Sequence, residues 1–159
     1  MIEIFRLGKW KHPLFGMVEG SIDKFKTFIS NFKNNVLGRE LSIDFKHQPD
    51  WGAAGWVKDV FIDNDKLKAR IELTPKGFEK IKNKEFRYFS PEYIDNFEDK
   101  ETGKKFGSTL LGGALTNRPF LTNLAPVVIM SEDVLNEIST FNMLAFMTTV
   151  PKVITVVPS

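Results

Sequence analysis

The chain is predicted to be an α+β domain, built mainly on one antiparallel β-sheet or barrel with about three flanking helices. Three observations predict it. Short β-branched or aromatic segments, several of them alternating apolar and polar residues, recur up to residue 118. Helical spacing appears in three separate stretches among the short strands, a mixture that suggests α+β. Hydrophobic residues make up 42% and charged residues 26% of the 159, the balance of a folded globular domain with its own core.

The elements follow in order. Residues 2–7 (IEIFRL) read as a strand, and His12, Pro13 and Gly16 as a loop. Residues 21–35 read as a helix, with Ser21 as N-cap and Ile22, Phe25, Phe28, Ile29 and Phe32 at helical spacing. Gly38 ends that unit. Residues 41–46 (LSIDFK) alternate as a strand whose end delivers His47 to a Pro- and Gly-containing loop. Residues 55–62 and 66–73 form a hairpin around Asp63-Asn64-Asp65. Thr74-Pro75 opens a short helix over 75–82. Residues 86–94 (FRYFSPEYI) are an aromatic strand containing Ser90, and 99–103 are a charged turn. Residues 106–118 are a strand pair or a bent strand, with Gly112-Gly113 marking a bulge or a close backbone approach. Residues 131–147 form a third, nearly all-round apolar helix, a candidate surface for self-association, and 150–159 a β-prone tail whose one charge is Lys152.

Composition narrows the function classes. With no cysteine there is no disulfide, thiolate metal site or cysteine nucleophile. The start of the chain lacks the long apolar stretch of a signal peptide, and no run is long enough to span a membrane as a helix. Net charge is +2 and the basic residues are interleaved with acids, so a nucleic-acid surface is disfavoured. No metal or cofactor motif is present: there is no H-E-x-x-H, no Cys/His zinc spacing and no Gly-rich phosphate loop. Asp63 and Asp65 are better read as turn residues than as cation ligands.

Two residues stand out chemically. A hydrolase base is most often histidine, and only His12 and His47 are available. His47, at a strand end before a loop, can reach into a cleft. Ser90 lies in an aromatic strand and is followed by Pro91, which removes a backbone donor and places the serine at a sheet edge. Taken alone, each residue reads first as structural: a surface histidine, and a small polar side chain filling an edge. The absence of G-x-S-x-G sets aside an α/β-hydrolase.

Four segments together carry a resemblance. DFKHQPDWGAAGWVKDV (44–60) resembles a block Asp-Tyr/Phe-x-His-Gln followed by Ala-Ala-Gly-Trp-Ile/Val in the Mu-like phage I proteins. EFRYFSPEY (85–93) is similar to that family's Arg-Tyr-x-Ser-Pro-x-Phe/Tyr block, and GGALTNRP (112–119) to its Ala-Leu-Thr-Asn-x-Pro. The segment ELTPKGFEKIKNKEF resembles the family's Trp-Thr-x-x-Gly stretch, with Leu73 in place of Trp. The resemblance covers about residues 40–120 in the family's order.

It implies a prohead maturation protease: an assemblin-like serine endopeptidase of a bacteriophage that cleaves scaffold, the major capsid protein and itself. The place of action implied is the immature prohead in the host cytoplasm. No cofactor, metal, nucleic acid or membrane is implied, and self-association is. By position, the resemblance makes Ser90 the nucleophile and His47 the base. Asn117, on the following strand, is the expected orienter of the imidazole. Asp44 is the rival, set back because strand alternation points it away from His47. Gly112, Gly113 and Arg118 are the expected oxyanion donors. Residues 1–130 would be the protease domain, and 131–159 a helix and tail where a linker to a scaffold region would begin. The alternative is a non-catalytic head-assembly module that binds scaffold without cutting it.

Overall fold

The computed structural model describes residues 1–129 and the short strand Val153–Ile154. In chain order the elements are β1 (Ile2–Arg6), β2 (Gly8–His12), β3 (Gly16–Gly20), α1 (Ile22–Lys33), β4 (Ser42–Phe45), a 3-10 turn (Pro49–Trp51), β5 (Gly55–Asp63), β6 (Lys66–Leu73), α2 (Pro75–Lys82), β7 (Tyr88–Glu98), β8 (Lys105–Thr116) and β9 (Val153–Ile154).

Local chemistry accounts for the element boundaries. The Ser21 hydroxyl accepts the Lys24 amide at 3.1 Å and starts α1, which buries Phe25 and Phe28. The Thr74 hydroxyl accepts the Gly77 amide at 3.1 Å and, with Pro75 in the first turn, starts α2. The β5–β6 hairpin turns on Asn64 and Asp65, whose φ values of 50° and 60° are those of a two-residue turn that matches strand twist.

The main sheet runs β1-β6-β5-β4-β8-β7, and β9 is added to β6. Its pairings are antiparallel except that of β4 with β8. The sheet is therefore mainly antiparallel, as expected, with one parallel pairing that the sequence did not indicate. It curls until its outer strands approach: Phe5 of β1 and Tyr93 of β7 meet edge to face, centroids 5.3 Å apart. Phe25 and Phe28 of α1 pack on Phe5 at 5.8 and 6.0 Å, so the helix closes the core. The fold is α+β: a half-barrel with two helices among the described residues. The third helix, expected over 131–147, lies outside the described residues, as does all of the tail but β9.

Two further features are informative. The loop expected at residues 12–16 is the tip of a small hairpin, β2 with β3. Of the two forms expected for residues 106–118, a strand pair or a bent strand, the structure has the second: one long strand, β8, ending at Thr116 and irregular beside Gly112, where Glu92 pairs Gly112 while Tyr93 pairs Leu110.

The half-barrel has an open seam between β1 and β7, and residues 117–127 bridge it. Arg6 Nε donates to the Thr122 carbonyl at 2.9 Å, and the buried Glu3 carboxylate accepts from the Ala125 amide at 2.9 Å. On the other side the Val127 amide donates to the Arg87 carbonyl at 2.8 Å. Leu121, Ala125 and Val127 are buried beneath this bridge. Among the described residues no helix is long and apolar enough to cross a membrane.

Candidate active site

β8 organises the site by pairing on both flanks. Ala114 lies opposite Asp44 of β4 and opposite Ser90 of β7. Residues in register share a face, so Asp44, Ala114 and Ser90 form a row. Asp44 and Ser90 are then two strand spacings apart, about 10 Å between backbones. Glu92, two residues beyond Ser90, projects from the same face about 7 Å further along β7. The neighbouring row, Phe45–Leu115–Phe89, is buried on the opposite face.

His47 reaches this face by a turn. β4 stops at Phe45, and the Gln48 amide donates back to the Phe45 carbonyl at 2.9 Å. The two residues between, Lys46 and His47, have φ of 52° and 59°. Consecutive positive φ at non-glycine residues is uncommon, and Asn-Gly is the usual occupant of such a turn. Each such residue costs about 1–3 kcal/mol, the kind of local strain that clusters at functional sites. The turn lays the imidazole beside β7, where His47 Nδ1 pairs with Glu92 Oε1. The His47 and Glu92 side chains are 40% and 36% exposed, so the pair is open to solvent.

Ser90 is only 1% exposed. Its Oγ accepts the Phe120 amide at 3.0 Å, from the bridging segment. β7 is the last strand of the sheet, and it is residues 117–127 that cover the Ser90 end of its outer edge. A hollow lined by Tyr88, Phe89, Pro119, Leu121, Thr122 and Leu124 opens between the start of β7 and that segment; Ser90, His47 and Glu92 do not line it. A larger hollow, between α1, β5 and β8, contains none of these residues.

The other expected residues are placed differently. Asn117 does not face His47: its Oδ1 accepts the Arg87 amide at 3.0 Å and its Nδ2 donates to the Glu85 carbonyl at 2.8 Å. Both ends of the amide are spent clamping the chain that leads into β7. The imidazole's partner is Glu92 instead. Asp44 does not point away from His47, because the Lys46–His47 turn breaks the strand period. Its buried carboxyl lies within electrostatic range of both Glu92 and His47 and accepts from the Ser42 hydroxyl at 3.1 Å. Burial first, and Glu92 second, push the Asp44 carboxyl above the usual carboxylate range, against the pull of the Ser42 hydroxyl, His47 and Arg39.

Gly112 and Gly113, expected as oxyanion donors, are interior to β8. A Cβ on Gly113 would lie 2.2 Å from the Phe89 ring, and one on Gly112 2.8 Å from the Ser42 carbonyl. Close packing of the strand explains both glycines. The Arg118 side chain is exposed, and its amide donates to Thr116 Oγ1 at 3.1 Å. Glu92 escaped sequence reasoning because it falls on one of the two unspecified positions of the serine block. The signal that points to it is period two, which puts residue 92 on the face of residue 90. Among the described residues no group of three or more His, Cys, Asp or Glu side chains converges as a metal site.

The model of the Mu-like prophage I protein, N-terminal domain, matches residues 15–128, well over half of the chain. The chain belongs to this family. This Mu-like prophage I domain is thus a phage-associated protein, and the match takes in the His47 turn, both outer strands of the site and the bridging segment. No curated protein and no solved structure matches it.

Proposed function

We propose that this Mu-like prophage I domain is a serine endopeptidase that trims scaffold and capsid protein, and its own chain, within the immature phage head. One observation carries the reading. His47 gives Nδ1 to the Glu92 carboxylate, which projects from the same face of β7 as Ser90, so Nε2 is the nitrogen left to exchange a proton. That is the division of labour in a serine–histidine–carboxylate triad: the carboxylate sets the tautomer and stabilises the imidazolium, and the far nitrogen moves the proton.

The chemistry follows. Ser90 Oγ attacks the scissile carbonyl while its proton passes to His47 Nε2, and His47 then protonates the leaving amine. Among the described residues no hydrogen bond joins His47 to Ser90; the serine holds Phe120 instead. Base and nucleophile therefore meet when the exposed imidazole swings along β7, a tightening common in substrate complexes. The hollow at the start of β7, apolar on most sides, suits a side chain of an extended, unstructured scaffold segment.

A second reading has its own support. The burial of Ser90 and its bond from Phe120 are what a structural serine in a non-catalytic head-assembly module would show. Incubation with the phage's own scaffold and major capsid proteins, followed by mass spectrometry, separates the two. Ser90→Ala is expected to lower turnover by about a thousandfold or more. Glu92→Gln, which keeps the shape but not the charge, is expected to lower it by about a hundredfold or more. Trimming by Ser90→Ala at the wild-type rate would sink the protease reading, and binding of scaffold with no cleavage by the wild type would favour the module.

A further inference from the structure

We infer that the backbone N–H of Phe120 is the oxyanion donor of this site. The inference rests on the reading of Ser90 as a nucleophile. The Phe120 amide is aimed at the reacting oxygen itself, 3.0 Å from Ser90 Oγ. The donors expected earlier are committed elsewhere: Gly113 pairs Ile43 on one side and Pro91 on the other, Gly112 pairs Glu92, and the Arg118 amide is on Thr116. Pro119, which precedes Phe120, has no N–H to offer.

The donor is held in place from both ends. Upstream, Asn117 is clamped to Glu85 and Arg87. Downstream, Leu121 is buried, the Thr122 carbonyl takes Arg6, and the Ala125 amide takes Glu3. Fixed donors of this kind stabilise developing charge without reorganising at the moment of reaction. In the resting state the N–H satisfies Ser90 Oγ. As a lone pair of Oγ forms the new bond to carbon, the Oγ proton passes to His47 Nε2 and the carbonyl π pair moves onto its oxygen. That oxygen and Oγ share one carbon, so both come within reach of the amide where it is held. Collapse of the intermediate returns the pair, breaks the C–N bond and sends the His47 proton to the amine.

Two measurements test this. Replacing residue 120 by phenyllactic acid turns the 119–120 amide into an ester and deletes the N–H while keeping the ring. The kcat for cleavage of scaffold is expected to fall by about a hundredfold or more, as for loss of a single oxyanion donor, with KM little changed. Cleavage by the ester analogue within threefold of wild type would overturn the inference and leave the serine mechanism standing. If Ser90→Ala also cleaves normally, or the wild type does not cleave, the nucleophile reading fails and takes this one with it. The second measurement needs no variant. In wild-type protein labelled with ¹⁵N-phenylalanine, a peptidyl boronate adduct on Ser90 is expected to shift the Phe120 amide proton downfield; an unmoved Phe120 resonance in the adduct would overturn the inference.

Discussion

Asp44 and Glu92 are two carboxylates on one face near one histidine, yet their surroundings differ. Glu92 is partly exposed and paired with His47, whereas Asp44 is 6% exposed and its carboxyl is pushed upward by burial and by Glu92. A carboxyl raised in the folded state keeps its proton to higher pH than in the unfolded chain, so its contribution is full below the unfolded value of 3.8 and is lost as pH rises through the folded value. Asp44→Asn stays neutral and can still accept from Ser42. Its melting temperature relative to wild type is therefore expected to be higher at pH 7 than at pH 3. Paired thermal melts across that range check it, and a flat or inverted difference would contradict the assignment. Sequence reasoning set Asp44 aside by strand alternation. That argument holds as far as Phe45 and fails at the next two residues, because positive φ at Lys46 and His47 is not legible in their types.

At the scale of elements, β8 makes the site by pairing β4 in parallel on one flank and β7 antiparallel on the other. Gly113 lets the Phe89 ring pack close against it, one residue along the chain from Ser90. Gly113→Ala is expected to destabilise the fold by about 1–3 kcal/mol, since the new methyl has to displace a buried ring or the strand beneath it. Chemical denaturation would measure the loss, and a variant as stable as wild type would mean that the strand relaxes freely there. How much could be foreseen follows the range of the interactions. Both helix caps, the Asn64-Asp65 hairpin and the close approach at Gly112-Gly113 are local and were legible in the residues. The β4–β8 pairing joins segments about seventy residues apart, and the β2–β3 hairpin is built from a polar Gly-Lys-Trp-Lys-His strand without a strong apolar alternation. Neither leaves a local mark.

At the scale of the whole molecule, an open half-barrel must close its seam, and here an irregular segment closes it rather than a strand. Glu3 is central to this. Its side chain is 0% exposed, and it accepts the Ala125 amide while pairing with Lys66 at 2.9 Å. Replacing it by Leu removes the acceptor of a buried amide and the partner of Lys66. Because Lys66 is 34% exposed and water can solvate its charge, most of the cost lies in the orphaned amide, about 1–3 kcal/mol. Glu3→Leu should therefore loosen residues 119–127 before it loosens the β5–β6 hairpin, whose ladder does not depend on the seam. Hydrogen exchange read by mass spectrometry should show faster exchange in the bridging peptides and little change in β5–β6. Uniform acceleration across the sheet would mean instead that Glu3 stabilises the barrel as one cooperative unit. Since the same segment carries the Phe120 amide to Ser90, the local outcome would also place the candidate site at the mechanical joint of the fold, where closing the barrel and positioning the donor are one event.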